Sequence, residues 1–276
     1  MSFFEVIFTY EFMQNAVIAG ILASIIASII GMVVIEKKLV MLTGGVAHTA
    51  FGGVGLGYLV GFEPILGGGI FAVIASIVIG SLKKKNDKLT DVFIAVFWAV
   101  GMALGTVFIS LSSGYAPDLS SYLFGNILTV TKLEVIILAV LAVLITATFI
   151  VNVKYVQGYL FDEEFLQVRK VNVRLIEIIT HILIALSVVV LIKITGIILV
   201  LALLAVPSAT SIIISKRFVP RVIISAVIGV IYCFIGISLS YEVGLPTGAT
   251  IIIVSSVIYF IISLINKIAL KKAKKE

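Results

Sequence analysis

One cysteine, two histidines, one tryptophan and five prolines are all that this 276-residue chain holds of four residue types on which site chemistry and chain geometry often turn. Cys233 stands alone inside an apolar run, which excludes an intramolecular disulfide framework and any cysteine-rich metal site. No Gly-Lys dipeptide occurs, so there is no Walker A sequence, and Gly-x-Ser-x-Gly, His-Glu-x-x-His and Cys-x-x-Cys are missing as well. The chain reads as a non-enzyme, and if ATP drives it, another chain must bind the nucleotide. Charge is scarce too. Charged residues make up 12% of the chain against 61% hydrophobic, where a soluble domain carries about 25% charge. No basic segment precedes the first apolar run, which follows Glu5 and Glu11, so a cleavable signal peptide is not expected.

What is there instead is a succession of apolar runs, near 12–34, 42–61, 64–82, 91–112, 133–152, 174–193, 195–214, 219–240 and 247–266. About 20 helical residues rising 1.5 Å each cross a hydrocarbon core of about 30 Å. The prediction is an all-α polytopic membrane protein with about nine transmembrane helices. Basic residues fall into alternate gaps: Lys37 and Lys38; Lys83, Lys84, Lys85 and Lys88; Lys154, Arg169, Lys170 and Arg174; Lys216, Arg217 and Arg221; and the tail from Lys267. Only Lys132 and Lys193 lie in the other gaps. Because basic loops stay in the cytoplasm, the predicted orientation is N-terminus outside and C-terminus cytoplasmic. The formal net charge of +6 therefore belongs to short loops at a lipid surface, and no nucleic-acid partner is expected. The expected location is the plasma (inner) membrane of a prokaryote.

Two connections exceed a tight turn. The outer one, Ser112 to Lys132, includes the half-apolar stretch Ser120 to Asn126, suited to a short helix or re-entrant piece. The inner one, at about 153–173, holds Asp162 as a helix N-cap, with Glu163 and Glu164 at the positive end of the helix dipole. Phe165, Leu166 and Val168 supply an apolar face, and Arg169 and Lys170 close the helix. Such a helix is either a surface-lying connector or a docking element for a cytoplasmic partner. Glycines crowd the second and third runs, and Gly53/Gly57, Gly57/Gly61 and Gly101/Gly105 have the spacing that lets helices approach closely.

Ionisable groups inside apolar runs are costly and so are functional suspects. His48 lies in the glycine-rich second run, Glu177 and His181 lie four apart on one face of the sixth, and Glu242 precedes Pro246 at a helix boundary. Each has a structural alternative: His48 as a packing histidine, Glu177 at the interface, His181 bonded to that glutamate. Imidazole and carboxylate together suit borderline divalent metals such as zinc or manganese.

In order along the chain, several motifs resemble the membrane permease subunit of the zinc, manganese and iron family of ATP-binding-cassette importers. They are Phe12-Met-Gln-Asn-Ala16 with Gly20-Ile-Leu, then Val46-Ala-His48-Thr-Ala-Phe-Gly-Gly53, then Asp91-Val-Phe-Ile, Ala103-Leu-Gly105 and Tyr122-Leu-Phe-Gly-Asn-Ile-Leu128. Phe161-Asp-Glu-Glu-Phe165, the run from Gly196 to Pro207-Ser-Ala-Thr210, and Leu245-Pro-Thr-Gly-Ala249 complete the set. The resemblance implies that residues 1–276 form a single transmembrane permease domain that couples through the 153–173 loop to a separate cytoplasmic ATPase, which binds the ATP. It further implies a homodimer, an extracellular metal-binding solute-binding protein that delivers zinc, manganese or iron, and no cofactor on this chain. It assigns ATPase coupling to Asp162, Glu163, Glu164, Phe165 and Leu166.

Two positions depart from the family pattern. Gly44 and Gly244 stand where it usually has aspartates, four residues before the histidine and two before the last motif's proline. His48 is then the inherited metal ligand and Glu242 a substitute two residues before the missing acid. The alternative from another class is an ion-coupled secondary transporter that acts without an ATPase, and it calls for more intramembrane acids than this chain has.

Fusions of a cytoplasm-only reporter test the orientation. Signal is expected at Lys85, Gln157 and Lys216 and none near Pro64, Ala116 or Glu242; signal at both Gln157 and Ala116 would refute the nine-span arrangement.

Overall fold

The computed structural model describes residues 3–85, 87–112, 123 and 125–273. In chain order the elements are α1 (Phe3–Thr9), α2 (Glu11–Glu36), α3 (Val40–Val60), α4 (Pro64–Lys85), α5 (Asp87–Leu111), a 3-10 turn (Ile127–Thr129), α6 (Lys132–Phe161), α7 (Glu163–Val168), α8 (Val173–Thr195), α9 (Ile197–Ile214), α10 (Phe218–Val243) and α11 (Thr247–Ala273). Of the stretch expected to form a short outer helix or re-entrant piece, Ser120 to Asn126, residues 120–122 and 124 lie outside the described residues. Its end is visible: Asn126 accepts a hydrogen bond from the Leu128 amide at 3.0 Å and so caps the 3-10 turn.

Every predicted apolar run is a helix. Eight of the helices among the described residues are long and apolar enough to cross a membrane. The second run forms α3, 21 residues and so about 31 Å long, yet α3 is not among those eight. The reason is composition: six glycines, Thr43, His48 and Thr49 dilute its apolar side chains. A helix of this kind is stable at membrane depth when protein rather than lipid surrounds it, and Leu42 to Gly53 are buried without interruption.

The chain divides into two compact units, one of residues 1–35, 126–146 and 198–276, the other of residues 36–125 and 147–197. In the first unit α2 lies against α9 and α10 through small residues. Its small residues Ala16, Ala19, Gly20, Ala23, Ser24, Ala27, Ser28 and Gly31 are all buried. A methyl group on Gly20 would touch the Cys233 β-carbon of α10 at 3.2 Å, and one on Gly31 would overlap the Leu204 carbonyl of α9. Buried hydroxyls bond back into their own helices, Ser24 to the Gly20 carbonyl at 2.7 Å and Thr210 to the Val206 carbonyl at 2.7 Å, so these hydroxyls are satisfied in an apolar surround.

In the second unit α3 runs between α4 and α5. Gly53 and Gly67 face each other backbone to backbone, and methyl groups on Gly52 and Gly55 would meet the Gly101 and Gly105 carbonyls at 3.0 and 2.7 Å. Helix α8 packs against α4, where the Ser76 hydroxyl donates to the His181 carbonyl at 3.1 Å.

The inner connection is more helical than its composition predicts. Helix α6 continues past the expected end of its span to Phe161, with a break at Asn152 (φ −109°, ψ 15°). The Asn152 side chain donates to the Thr148 carbonyl at 3.0 Å, which holds the chain through the irregular turn. Asp162 then caps α7 by accepting the Phe165 amide at 3.0 Å, and Asn172 caps α8 by accepting the Leu175 amide at 3.1 Å. Between them Lys170 takes a left-handed conformation (φ 58°) and ends the short helix.

Candidate functional site

His48 lies near the middle of α3, and the glycine contacts described above determine what can reach it. Because α5 approaches α3 at backbone distance, the Thr49 hydroxyl, which donates to the Gly45 carbonyl one turn back at 2.7 Å, also lies 3.1 Å from the Phe97 carbonyl of α5. The next residue of α5, Trp98, lays its ring against the His48 imidazole, with centroids 4.0 Å apart and planes 14° from parallel. His48 is only 7% exposed. Its Nδ1 is fully enclosed and has no hydrogen-bond partner, so the exposure that remains belongs to other atoms of the side chain.

Gly44, one turn before His48, is buried under the same tryptophan, and a β-carbon there would stand 3.2 Å from Trp98 Cζ3. The space beside His48 where a carboxylate at position 44 would project is therefore occupied by indole. Gly244 has a different reason to be glycine. It is the left-handed C-cap of α10 (φ 74°), its amide bonded to the Ser240 carbonyl at 2.9 Å, a conformation that side chains other than glycine rarely adopt. The Ser240 hydroxyl completes the turn by bonding to the Leu245 carbonyl at 2.6 Å and to the Thr247 hydroxyl at 2.8 Å. Glu242 is exposed in the last turn of α10 and belongs to the first unit, whereas His48 belongs to the second. Among the described residues no three His, Cys, Asp or Glu side chains cluster closely enough to enclose a metal ion.

Glu177 and His181 share one face of α8, as their spacing predicts, and with Arg174, Ile178 and the α4 residues Ile77, Gly80 and Ser81 they line a cavity of about 300 Å³. The pair does not make the side-chain hydrogen bond that the sequence leaves open. His181 instead donates through Nδ1 to the Glu177 main-chain carbonyl at 2.8 Å. Its Nε2 is buried without a partner and lies directly against Gly80, where any β-carbon would collide with the ring.

The residues expected to meet an ATPase sort into two groups. Phe165 is half exposed and Val168 is more exposed still, while Asp162 and Glu164 are also at the surface. Leu166, expected on the docking face, is buried: it packs with Tyr159 and Val173, and Gly158 leaves room for its methyl groups. On a helix of six residues, the residue next to Phe165 points about 100° away from it, so Leu166 anchors the helix while Phe165 faces outward. Glu163 pairs with Lys37 in the α2–α3 connection, and the Lys37 ammonium also sits 4.0 Å above the Tyr159 ring. Sequence reasoning missed Lys37 and Trp98. Each partner lies 50 to 126 residues away, beyond any local periodicity, although a lone tryptophan in an apolar run was a visible signal.

Comparison with known proteins was made against this geometry. A family model described as the ABC 3 transport family matches residues 9–266. An uncharacterized membrane protein of Synechocystis is 37% identical, over 91% of this chain and 90% of its own length. The manganese transport system membrane protein MntC of Listeria innocua is 27% identical over 95% of this chain and 93% of its own length. The solved structure of PsaBC from Streptococcus pneumoniae in complex with Fab superposes with a TM-score of 0.85, at 24% identity, covering 94% of both chains, and so shares the fold.

The seating of His181 on Gly80 can be tested directly. Gly80→Ala should destabilise the chain by about 1–3 kcal/mol through overpacking, read as a lower unfolding temperature in detergent. His181→Ala in the same chain should recover most of that loss, since contacting residues are not additive. Additive losses would mean that the two do not touch.

Proposed function

Because the chain belongs to the ABC 3 transport family, we propose that it is the membrane permease subunit of an ATP-driven importer for a divalent transition metal, with manganese and zinc as the leading substrates. The single observation that carries the substrate assignment to a residue is the buried His48 imidazole, held at fixed orientation in the most glycine-rich helix. Neutral imidazole is a ligand for such cations, and one ring without a surrounding set of carboxylates suits a passage site that must release its cargo. Glu242 serves as a second, exposed acidic contact for the cation. Residues 1–276 act as one permease, oriented with the N-terminus outside, and two copies form the pathway.

The energy comes from a separate cytoplasmic ATPase. Its contact is the short helix α7, capped by Asp162, with Glu164, Phe165 and Val168 outward and Leu166 anchoring it from beneath. Glu163 ties the same helix through Lys37 to the start of α3, the helix that bears His48, which offers a direct mechanical route from the ATPase to the substrate site. A solute-binding protein delivers the metal from outside. The manganese assignment of the Listeria relative and the match over nearly the whole chain support this reading.

Uptake of radiolabelled manganese into vesicles carrying the full importer tests it. His48→Ala should lower uptake about tenfold or more at unchanged expression, the effect of losing a contact worth about 1.4 kcal/mol; normal uptake would make His48 a packing residue. Coupling has its own test. Phe165→Asp with Val168→Asp should abolish copurification of the ATPase while the chain stays folded, because charge entering an apolar cleft carries a large desolvation penalty. Unchanged copurification and uptake would make α7 a connector only.

A further inference from the structure

We propose that Trp98 is part of the substrate site: its indole face backs the His48 imidazole and stabilises that ring when it holds a divalent transition-metal cation. The inference rests on the reading of His48 as a substrate ligand and adds the residue that tunes it.

Three observations converge on it. The first is the stacking itself. Two neutral aromatic rings favour offset or edge-to-face arrangements with centroids about 4.5–7 Å apart, whereas these rings lie 4.0 Å apart and 14° from parallel. A near-parallel stack at that distance presents the indole face directly to the imidazole. Indole is the best natural partner for a positive group over its face, and an imidazole that has donated a lone pair to a metal is such a group.

The second observation concerns the other ring nitrogen. A metal-bound histidine usually donates its remaining N–H to a carboxylate or a carbonyl, which raises the basicity of the ligand. His48 Nδ1 is fully enclosed and has no such partner. With Nδ1 enclosed, Nε2 is the nitrogen left to meet a cation, and no hydrogen-bonded oxygen supports the ring through its other nitrogen. Trp98 lies stacked on that ring, where its face can stabilise positive charge on the imidazole.

The third is Gly44. A β-carbon there would stand 3.2 Å from the indole, so glycine at this position leaves Trp98 the room in which it meets the imidazole. Gly44, His48 and Trp98 therefore act as a unit, and close packing of α3 on α5 through Gly52, Gly55, Gly101 and Gly105 keeps the two rings in register. An imidazole supported by a π face carries no added negative charge. It should bind a divalent cation more weakly than an imidazole–carboxylate pair and let it go more readily.

Trp98 is the only tryptophan in the chain, so the site carries its own reporter. With the purified full-length chain in detergent, Mn2+, a paramagnetic quencher, should reduce the tryptophan fluorescence saturably, Mg2+ should not, and His48→Ala should remove the saturable phase. The absence of saturable quenching, or its persistence in His48→Ala, would overturn the proposal. In vesicles with the complete importer, Trp98→Leu should raise the KM for manganese about fivefold with little change in maximal rate or expression, and Trp98→Phe should restore most of the loss. A KM unmoved by Trp98→Leu, or a phenylalanine variant no better than leucine, would overturn it while leaving the substrate reading intact. Normal uptake by His48→Ala would instead bring down the substrate reading and this proposal together.

Discussion

Backbone-to-backbone contact along α3 is the constraint on which the second unit depends. Lipid tails are as apolar as leucine, so helices in a bilayer gain little from hiding apolar side chains and must associate through close van der Waals contact. Gly53 against Gly67 on one side, and Gly52 and Gly55 against Gly101 and Gly105 on the other, provide that contact. The same substitutions that permit it make α3 less apolar than the other long helices. The helix least suited to face lipid is thus the one most enclosed by protein, and it is the one that bears His48. Packing and site placement have one cause here.

The first unit solves the same problem with a different mixture. Helix α2 uses alanine and serine more than glycine, and its neighbours close on it through Gly20, Gly31 and Gly229. The serine and threonine hydroxyls that accompany small residues would be a liability at membrane depth if left unbonded. They are absorbed by the preceding helical turn or by one another, as with Ser208 and Ser225 at 3.1 Å and Thr210 and Tyr232 at 3.3 Å. The two imidazole nitrogens that escape this rule, Nδ1 of His48 and Nε2 of His181, are conspicuous for that reason. Both lie in the second unit, one against an indole and the other against a glycine backbone.

The segment from α6 to α8 shows how little sequence is needed to fix a short helix outside the spans. Asp162 and Asn172 each accept a backbone amide that would otherwise be unpaired, and Lys170 supplies the left-handed turn between them. One buried leucine, set between Tyr159 and Val173, then holds the helix down. What remains exposed is a phenylalanine, a valine and the acids Asp162 and Glu164.

How much of this was legible in the sequence depends on the range of the interaction. The helices and their approximate limits were readable because the length of an apolar run and the charge of its flanks are local properties, and the cap at Asp162 because a side chain bonds an amide three residues on. The order of the motifs pointed to the family for the same reason. His48 was identifiable as a suspect because a polar ring in an apolar run is costly wherever it is placed. What stands over it was not. Trp98 reaches His48 only because α5 packs on α3 through glycines, and that contact joins residues 50 positions apart. Leu166 and Phe165, adjacent and alike in hydropathy, have opposite fates, since only the packed structure decides which side of a short helix meets Tyr159. Composition and local pattern determined that this chain is a bundle of membrane-spanning helices of a transport family; the long-range approach of backbones decided which side chains meet at its sites, because contact between distant residues leaves no periodic trace along the chain.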